Sequence, residues 1–179
     1  LHLTLDVKIQ KLSEVLLNGH RGSVVALDPK TGGVLAIASS PMYDPDILSR
    51  PITNQEWFNI SSKESYEPLL NRSVDGRYPP GSVYKMITLI AGLNEKLVTP
   101  EWSVTCTGGY RVGNRTIHCW NLGGHGTVNA YSAISGSCNV YFFNLIQKVG
   151  LERWAKYSEA FGFGNKTGID LPSEMSGLL

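Results

Sequence analysis

Tyr78-Pro79-Pro80-Gly81-Ser82-Val83-Tyr84-Lys85 is the stretch from which the rest of the chain is read. Two successive prolines hold the backbone extended, and Gly81 permits a sharp turn into a helix. The residues that follow, Met86-Ile87-Thr88-Leu89-Ile90-Ala91 and Leu93, are apolar nearly all round, which predicts a helix buried on every side. Ser82 and Lys85 stand three apart at its first turn and so share a face. A hydroxyl beside an amine in a poorly solvated place has a chemical use. Burial lowers a lysine's pKa, the neutral amine can take the hydroxyl proton, and the helix N-terminus favours the negative charge that results. Serine near a helix start is also an ordinary N-cap, so the pair needs support from elsewhere in the chain.

With 179 residues the chain can bury a real core, and one domain or one large lobe is expected. Sixteen basic and fifteen acidic residues leave a net charge of +1, with no electrostatic footprint for nucleic acid. The longest apolar stretch, Met86 to Leu93, contains Thr88 and Gly92 and is too short to span a membrane. Leu1 to Asp6 leads straight into structured sequence without a signal-peptide pattern, and the abrupt close at Gly177-Leu178-Leu179 suggests a fragment. Three cysteines cannot all pair within one chain.

From the N-terminus, Asp6 can cap a helix whose Ile9, Leu12, Val15 and Leu16 form one apolar stripe, ending near Gly19. Gly22 to Leu27 and Val34 to Ala38 read as strands joined by the turn Asp28-Pro29-Lys30-Thr31-Gly32-Gly33. A helix followed by such a hairpin predicts an α/β fold with an antiparallel sheet flanked by helices. Residues 40–77 read as a long irregular excursion of the kind that is usually functional or mobile. Thr105 to Thr127 is rich in glycine with little periodicity, and helices are predicted around Ala130 to Ser135, Asn139 to Lys148 and Leu151 to Ala160.

Two further stretches bear on chemistry. In Ser135-Gly136-Ser137-Cys138-Asn139, Ser137 and Asn139 can project a hydroxyl and a carboxamide from one turn, or can simply cap the next helix. Lys166-Thr167-Gly168 matches a tripeptide that completes one serine-lysine active site. Its setting just after a helix, with Pro172 close behind, marks it as a coincidental match.

Taken together, these segments resemble the transpeptidase domain of class B penicillin-binding proteins of the bacterial elongation machinery. The likeness is carried by Leu3-Thr4-Leu5-Asp6, Gly22 through Pro29, Asn71-Arg72, Pro79-Pro80-Gly81-Ser82, Gly124-His125-Gly126, Ser137-Cys138-Asn139 and Phe161 through Glu174. They span nearly the whole chain in the family's order, with Val83 where threonine is more usual. The resemblance implies the penicillin-binding-protein and serine β-lactamase fold, cut before its later strands, with residues 1–179 forming the N-terminal portion of the domain. It implies that Ser82 is the acylated nucleophile, Lys85 its base, and Ser137 and Asn139 the proton relay and substrate-positioning pair, with no cofactor for catalysis. Implied partners are peptidoglycan stem peptides, β-lactam antibiotics, a cell-wall glycosyltransferase and elongation scaffold proteins. The implied location is the periplasmic face of the inner membrane, through an anchor outside this chain. The family's true Lys-Thr-Gly strand lies further along. A fragment without it is therefore expected to be nearly inactive, since one lost oxyanion donor costs roughly 100- to 1000-fold.

Cys106, Cys119, His125 and Cys138, with gaps of twelve, five and twelve residues, use every cysteine and form a possible tetrahedral zinc set. The alternatives are a Cys106–Cys119 disulfide, free thiols, or His118 replacing His125. Two other functions compete with transpeptidation: a serine β-lactamase, and a non-catalytic β-lactam-sensing or scaffold module using Trp57, Phe58 and Tyr66.

Overall fold

The computed structural model describes residues 2–179, and these form two compact units, residues 2–77 with 168–175 and residues 78–167 with 176–179.

In the first unit the Asp6 carboxylate accepts from the backbone N–H of Lys8 and Ile9, at 2.8 and 3.1 Å, and opens α1 (Val7–Leu17). Strands β1 (Gly22–Leu27) and β2 (Val34–Ser40) pair antiparallel from Gly22↔Ser40 to Ala26↔Ala36. Their turn is tied by Asp28, which accepts from Thr31 Oγ1 at 2.7 Å and from the Lys30 N–H at 3.0 Å. These elements follow the sequence reading, but the face that α1 buries does not. Leu12 and Val15 of the apolar stripe are 58% and 70% exposed, whereas Ser13 is buried. The reason lies in β2, whose inward residues Ala36 and Ala38 are small. Gln10 of α1 locks onto β2 by accepting from the Ile37 N–H at 2.8 Å and donating to the Ile37 carbonyl at 3.0 Å.

The excursion after β2 is more ordered than its composition suggests. It contains α2 (Asn54–Ser61), started by a reciprocal cap in which Thr53 Oγ1 accepts from the Glu56 N–H and Glu56 accepts from the Thr53 N–H. Further on, the buried Arg72 guanidinium donates to the carbonyls of Tyr66, Glu67 and Leu70. The Arg72 N–H donates to Ser39 Oγ at 2.9 Å, and Ser73 Oγ to the Ala38 carbonyl at 3.1 Å. One side chain and one strand edge therefore anchor this segment by hydrogen bonds.

In the second unit a 3-10 turn, Gly81–Tyr84, leads into α3 (Lys85–Asn94). There follow β3 (Val104–Cys106), β4 (Gly109–Val112), β5 (Arg115–His118), β6 (Gly126–Val128), α4 (Ala130–Ser135), α5 (Asn139–Val149) and α6 (Leu151–Ala160). β3 pairs with β6 and β4 with β5, both antiparallel. The core packs α3 against α5 through Ala91, Tyr141, Leu145 and Val149, all fully buried. Gly92 permits this approach, since a Cβ there would lie 2.9 Å from Leu145 Cδ1. α3 is not buried on every side as predicted. Ile87, Thr88, Ala91 and Gly92 face the core, while Met86 is 54% exposed.

The glycine-rich stretch does hold strands, each of three or four residues, too short to print a period of two on the sequence. Backbone contacts organise it. Gly108 has φ +90°, and a Cβ there would come within 1.9 Å of the Leu122 carbonyl oxygen. Arg72→Met should leave three carbonyls without their donor and lower the unfolding free energy by about 3 kcal/mol in urea denaturation. Arg72→Lys should recover only part of it, because an ammonium lacks the planar fork.

Candidate active site and thiol cluster

Ser82 sits exposed on the 3-10 turn, and its carbonyl accepts from the Lys85 N–H, so hydroxyl and amine are fixed to the same turn. The Tyr84 ring between them packs on Trp154 and Phe163, with centroids 5.2 and 4.9 Å apart. That aromatic wedge holds the turn against α6. Lys85, at the head of α3, spends all three ammonium donors on the facing turn. Its Nζ donates to the Ser137 carbonyl at 2.8 Å, to Ser137 Oγ at 3.0 Å and to Asn139 Oδ1 at 2.7 Å. Ser137 Oγ in turn lies 3.0 Å from Ser82 Oγ and donates to it.

The four residues singled out in the sequence thus meet, with one revision to the expected geometry. Among the described residues Lys85 Nζ makes no hydrogen bond to Ser82 Oγ; Ser137 stands between them. Hydroxyl protons rotate, so the Ser82–Ser137–Lys85 chain can run in either direction. Burial lowers the Lys85 pKa below its ordinary value, and ionised Cys119 and Cys138 nearby would act the other way. The amine also lies 5.5 Å from the centre of the Phe142 ring.

Ser137 is aimed by an unusual backbone. Its φ of +48° lies in the left-handed region, a strain of roughly 1–3 kcal/mol for a residue with a Cβ. The N–H groups of Ser137 and Cys138 donate to the carbonyls of Ile134 and Ala133 at 3.1 and 2.9 Å, and Trp120 Nε1 donates to the Gly136 carbonyl at 3.0 Å. Trp120 escaped the sequence reading because nothing in its neighbourhood marks it as a partner of Gly136. Lys166-Thr167-Gly168 lies outside any strand.

The second cluster is built by the ends of short elements. Cys106 closes β3, Cys119 follows β5, His125 precedes β6, and Cys138 is the residue before α5. Their ligand atoms all lie within 4.8 Å of one another, and His125 Nδ1 is 3.6 Å from the Sγ atoms of both Cys106 and Cys119. The thiols are free, so the disulfide alternative is not the state seen here, and the cluster uses His125 while His118 is exposed. A tetrahedral ion with sulfur ligands at about 2.3 Å has edges of about 3.8 Å, close to the separations observed. Burial pushes the Cys138 thiol up to about 11. Burial acts the same way on Cys119, but the N–H groups of Asn121, Asn139 and Val140 outweigh it and hold that thiol below its ordinary value. Three buried sulfurs and one imidazole, converging without an internal counter-charge, suit a soft divalent cation.

Residues 22–179 match the penicillin binding protein transpeptidase domain family. The chain is 37% identical to the peptidoglycan D,D-transpeptidase MrdA of Acinetobacter baumannii over 99% of its own length, and spans 27% of that protein. Among solved structures, penicillin-binding protein 2 of Pseudomonas aeruginosa in complex with WCK 5153 superposes with a TM-score of 0.90 at 37% identity, covering 99% of this chain and 40% of that one. Penicillin-binding protein 2 of Helicobacter pylori in complex with MreC gives a TM-score of 0.90 at 33% identity, covering 97% and 33%. With the Ser82–Ser137–Lys85 arrangement already in view, these matches mean that the chain belongs to the penicillin-binding protein transpeptidase domain family.

Proposed function

We propose that the protein of which this chain is part is a serine D,D-transpeptidase that cross-links peptidoglycan stem peptides. The observation that carries this reading is the unbroken hydrogen-bonded path from Ser82 Oγ through Ser137 Oγ to Lys85 Nζ. Ser82 Oγ attacks the carbonyl that precedes a terminal D-alanine, and its proton moves through Ser137 to the neutral Lys85 amine. The tetrahedral intermediate expels the D-alanine amine, which takes that proton back along the same path. An acyl-enzyme remains, and an amine of a neighbouring stem peptide attacks it to form the new amide while Ser82 regains its proton. Asn139 contributes orientation. Its Oδ1 accepts from Lys85, which turns the amide NH2 away from the lysine and leaves two donors for a substrate carbonyl. β-Lactams are trapped at the same serine.

By the same reasoning the protein works at the periplasmic face of the inner membrane, with a cell-wall glycosyltransferase and elongation scaffold proteins as partners. The complex of the Helicobacter pylori relative with MreC supports that class of partner. We also propose that Cys106, Cys119, His125 and Cys138 hold a structural zinc. Bound there, the ion would supply cross-linking to a stretch with little apolar content, and Cys138 would tie it to the turn bearing Ser137 and Asn139.

Fluorescent penicillin should label the full-length protein in a burst without β-lactam turnover, and Ser82→Ala should not be labelled. Multiple turnover would favour the β-lactamase reading, and growth supported by Ser82→Ala would favour the scaffold reading. Ser137→Ala should slow acylation by about 10²- to 10⁴-fold, comparably to Lys85→Met, because both interrupt one proton path. A Ser137→Ala variant acylating at the wild-type rate would refute the relay. Acylation should rise with pH as the Lys85 amine loses its proton, with a midpoint below the ordinary 10.5, and fall on acidification. Protein purified without chelator should carry about one zinc per chain, and Cys138→Ser should lower both metal content and melting temperature. Metal-free protein of unchanged stability would overturn the zinc assignment.

A further inference from the structure

Between Glu101 and Glu152 the sequence has no aspartate or glutamate, while Arg111, Arg115 and Lys148 bring positive charge. The β4–β5 hairpin lies in this acid-free interval. Gly109 pairs with His118 and Arg111 with Thr116, so these four residues share one face of the ladder. The opposite face is the docked one, where the Tyr110 ring packs on Phe143 with centroids 5.6 Å apart. The face that bears Arg111 is concave. Together with Thr107, Gly108 and Leu122 it lines a cavity of about 450 Å³.

Three details make this cavity a receptor rather than a dent. Gly109 leaves the floor open, since a Cβ there would come within 2.8 Å of Thr116 Cγ2 and 3.9 Å of His118 Nδ1. Arg111 Nε is tied to the Gly113 carbonyl at 3.1 Å, which orients the guanidinium. Its two terminal amino groups have no hydrogen-bond or ion-pair partner among the described residues. A planar fork with both prongs free, in a lining that includes Thr107, Thr116 and His118 and no acidic residue, matches a carboxylate accepting two parallel N–H bonds.

We propose that this hairpin cavity is a second binding site, separate from Ser82 and Lys85, that takes a side-chain carboxylate of an acidic peptide. The ligand class rests on the transpeptidase reading, under which the acidic peptide is a stem peptide of peptidoglycan. The cavity's preference for a carboxylate does not rest on it. Arg111 is the binding residue, and Thr107, Thr116 and His118 line the cavity around it.

Calorimetric titration of the full-length Ser82→Ala protein tests this. The probes are a synthetic pentapeptide ending in D-Ala-D-Ala with free side-chain carboxylates, the same peptide with only its side chains amidated, and inorganic phosphate. Arg111→Gln should weaken the free-acid peptide by about tenfold or more, the loss expected for a charge-assisted hydrogen bond. Side-chain amidation should weaken it by the same factor in the parent protein and have no further effect in Arg111→Gln. Phosphate should compete only weakly. His118→Gln should give a smaller loss in the same direction, and penicillin labelling of Arg111→Gln in the Ser82 background should stay at the parent rate. Equal affinity of Arg111→Gln and parent for the free-acid peptide overturns the proposal. So does tight phosphate competition with no effect of amidation, which would make the cavity a phosphate site. Arg111-dependent binding in a protein that penicillin fails to label would leave this site standing and remove the catalytic reading instead.

Discussion

Three hydrogen bonds from one amine hold the site together. Lys85 leaves the head of α3 and is gripped by the Ser137 carbonyl, the Ser137 hydroxyl and the Asn139 carboxamide at 2.7–3.0 Å. A carbonyl, a hydroxyl and an amide oxygen accept from an amine without neutralising it, so its pKa is lowered by burial instead of being raised by a carboxylate. Burial thus favours the neutral amine that can take a proton. The same grip pins the Ser82 turn to the start of α5.

The N-terminus of α5 is consequently where the two clusters join. Asn139, its first residue, supplies Oδ1 to Lys85, and the residue before it, Cys138, points into the thiol cluster. Cys119 draws on the backbone N–H groups of Asn139 and Val140, which the first helical turn leaves without intrahelical partners. The Ser137 turn and the thiol cluster are therefore neighbours through one helix end. The strained φ of Ser137 is tolerated because hydrogen bonds on both sides, including that from Trp120, overdetermine it.

The first unit illustrates a different balance. The apolar stripe of α1 remains exposed among the described residues, and the helix is attached by Gln10 to a strand of small residues. The segment around Arg72 is likewise held by a buried guanidinium that donates to three carbonyls. Hydrophobic pattern locates such elements well but misjudges which face packs, because a short polar side chain against alanine permits closer approach than leucine does.

Much of this was legible in the residues alone. Asp6 as a cap, the Asp28–Gly33 turn, the two hairpin strands and the three C-terminal helices follow from local chemistry, since caps, turns and periodicity act over a few residues. Ser82 with Lys85, and Ser137 with Asn139, were visible as pairs because each pair sits on one turn. α2 was overlooked although Thr53 and Glu56 announce its cap, the signal being outweighed by the prolines around it. What only the tertiary structure decided is how distant segments meet: that Ser137 stands between Ser82 and Lys85, that Trp120 braces the Ser137 turn, and that His125 rather than His118 joins the thiols. Those contacts bridge up to 55 residues of sequence, and no local preference of the backbone carries information over such a span.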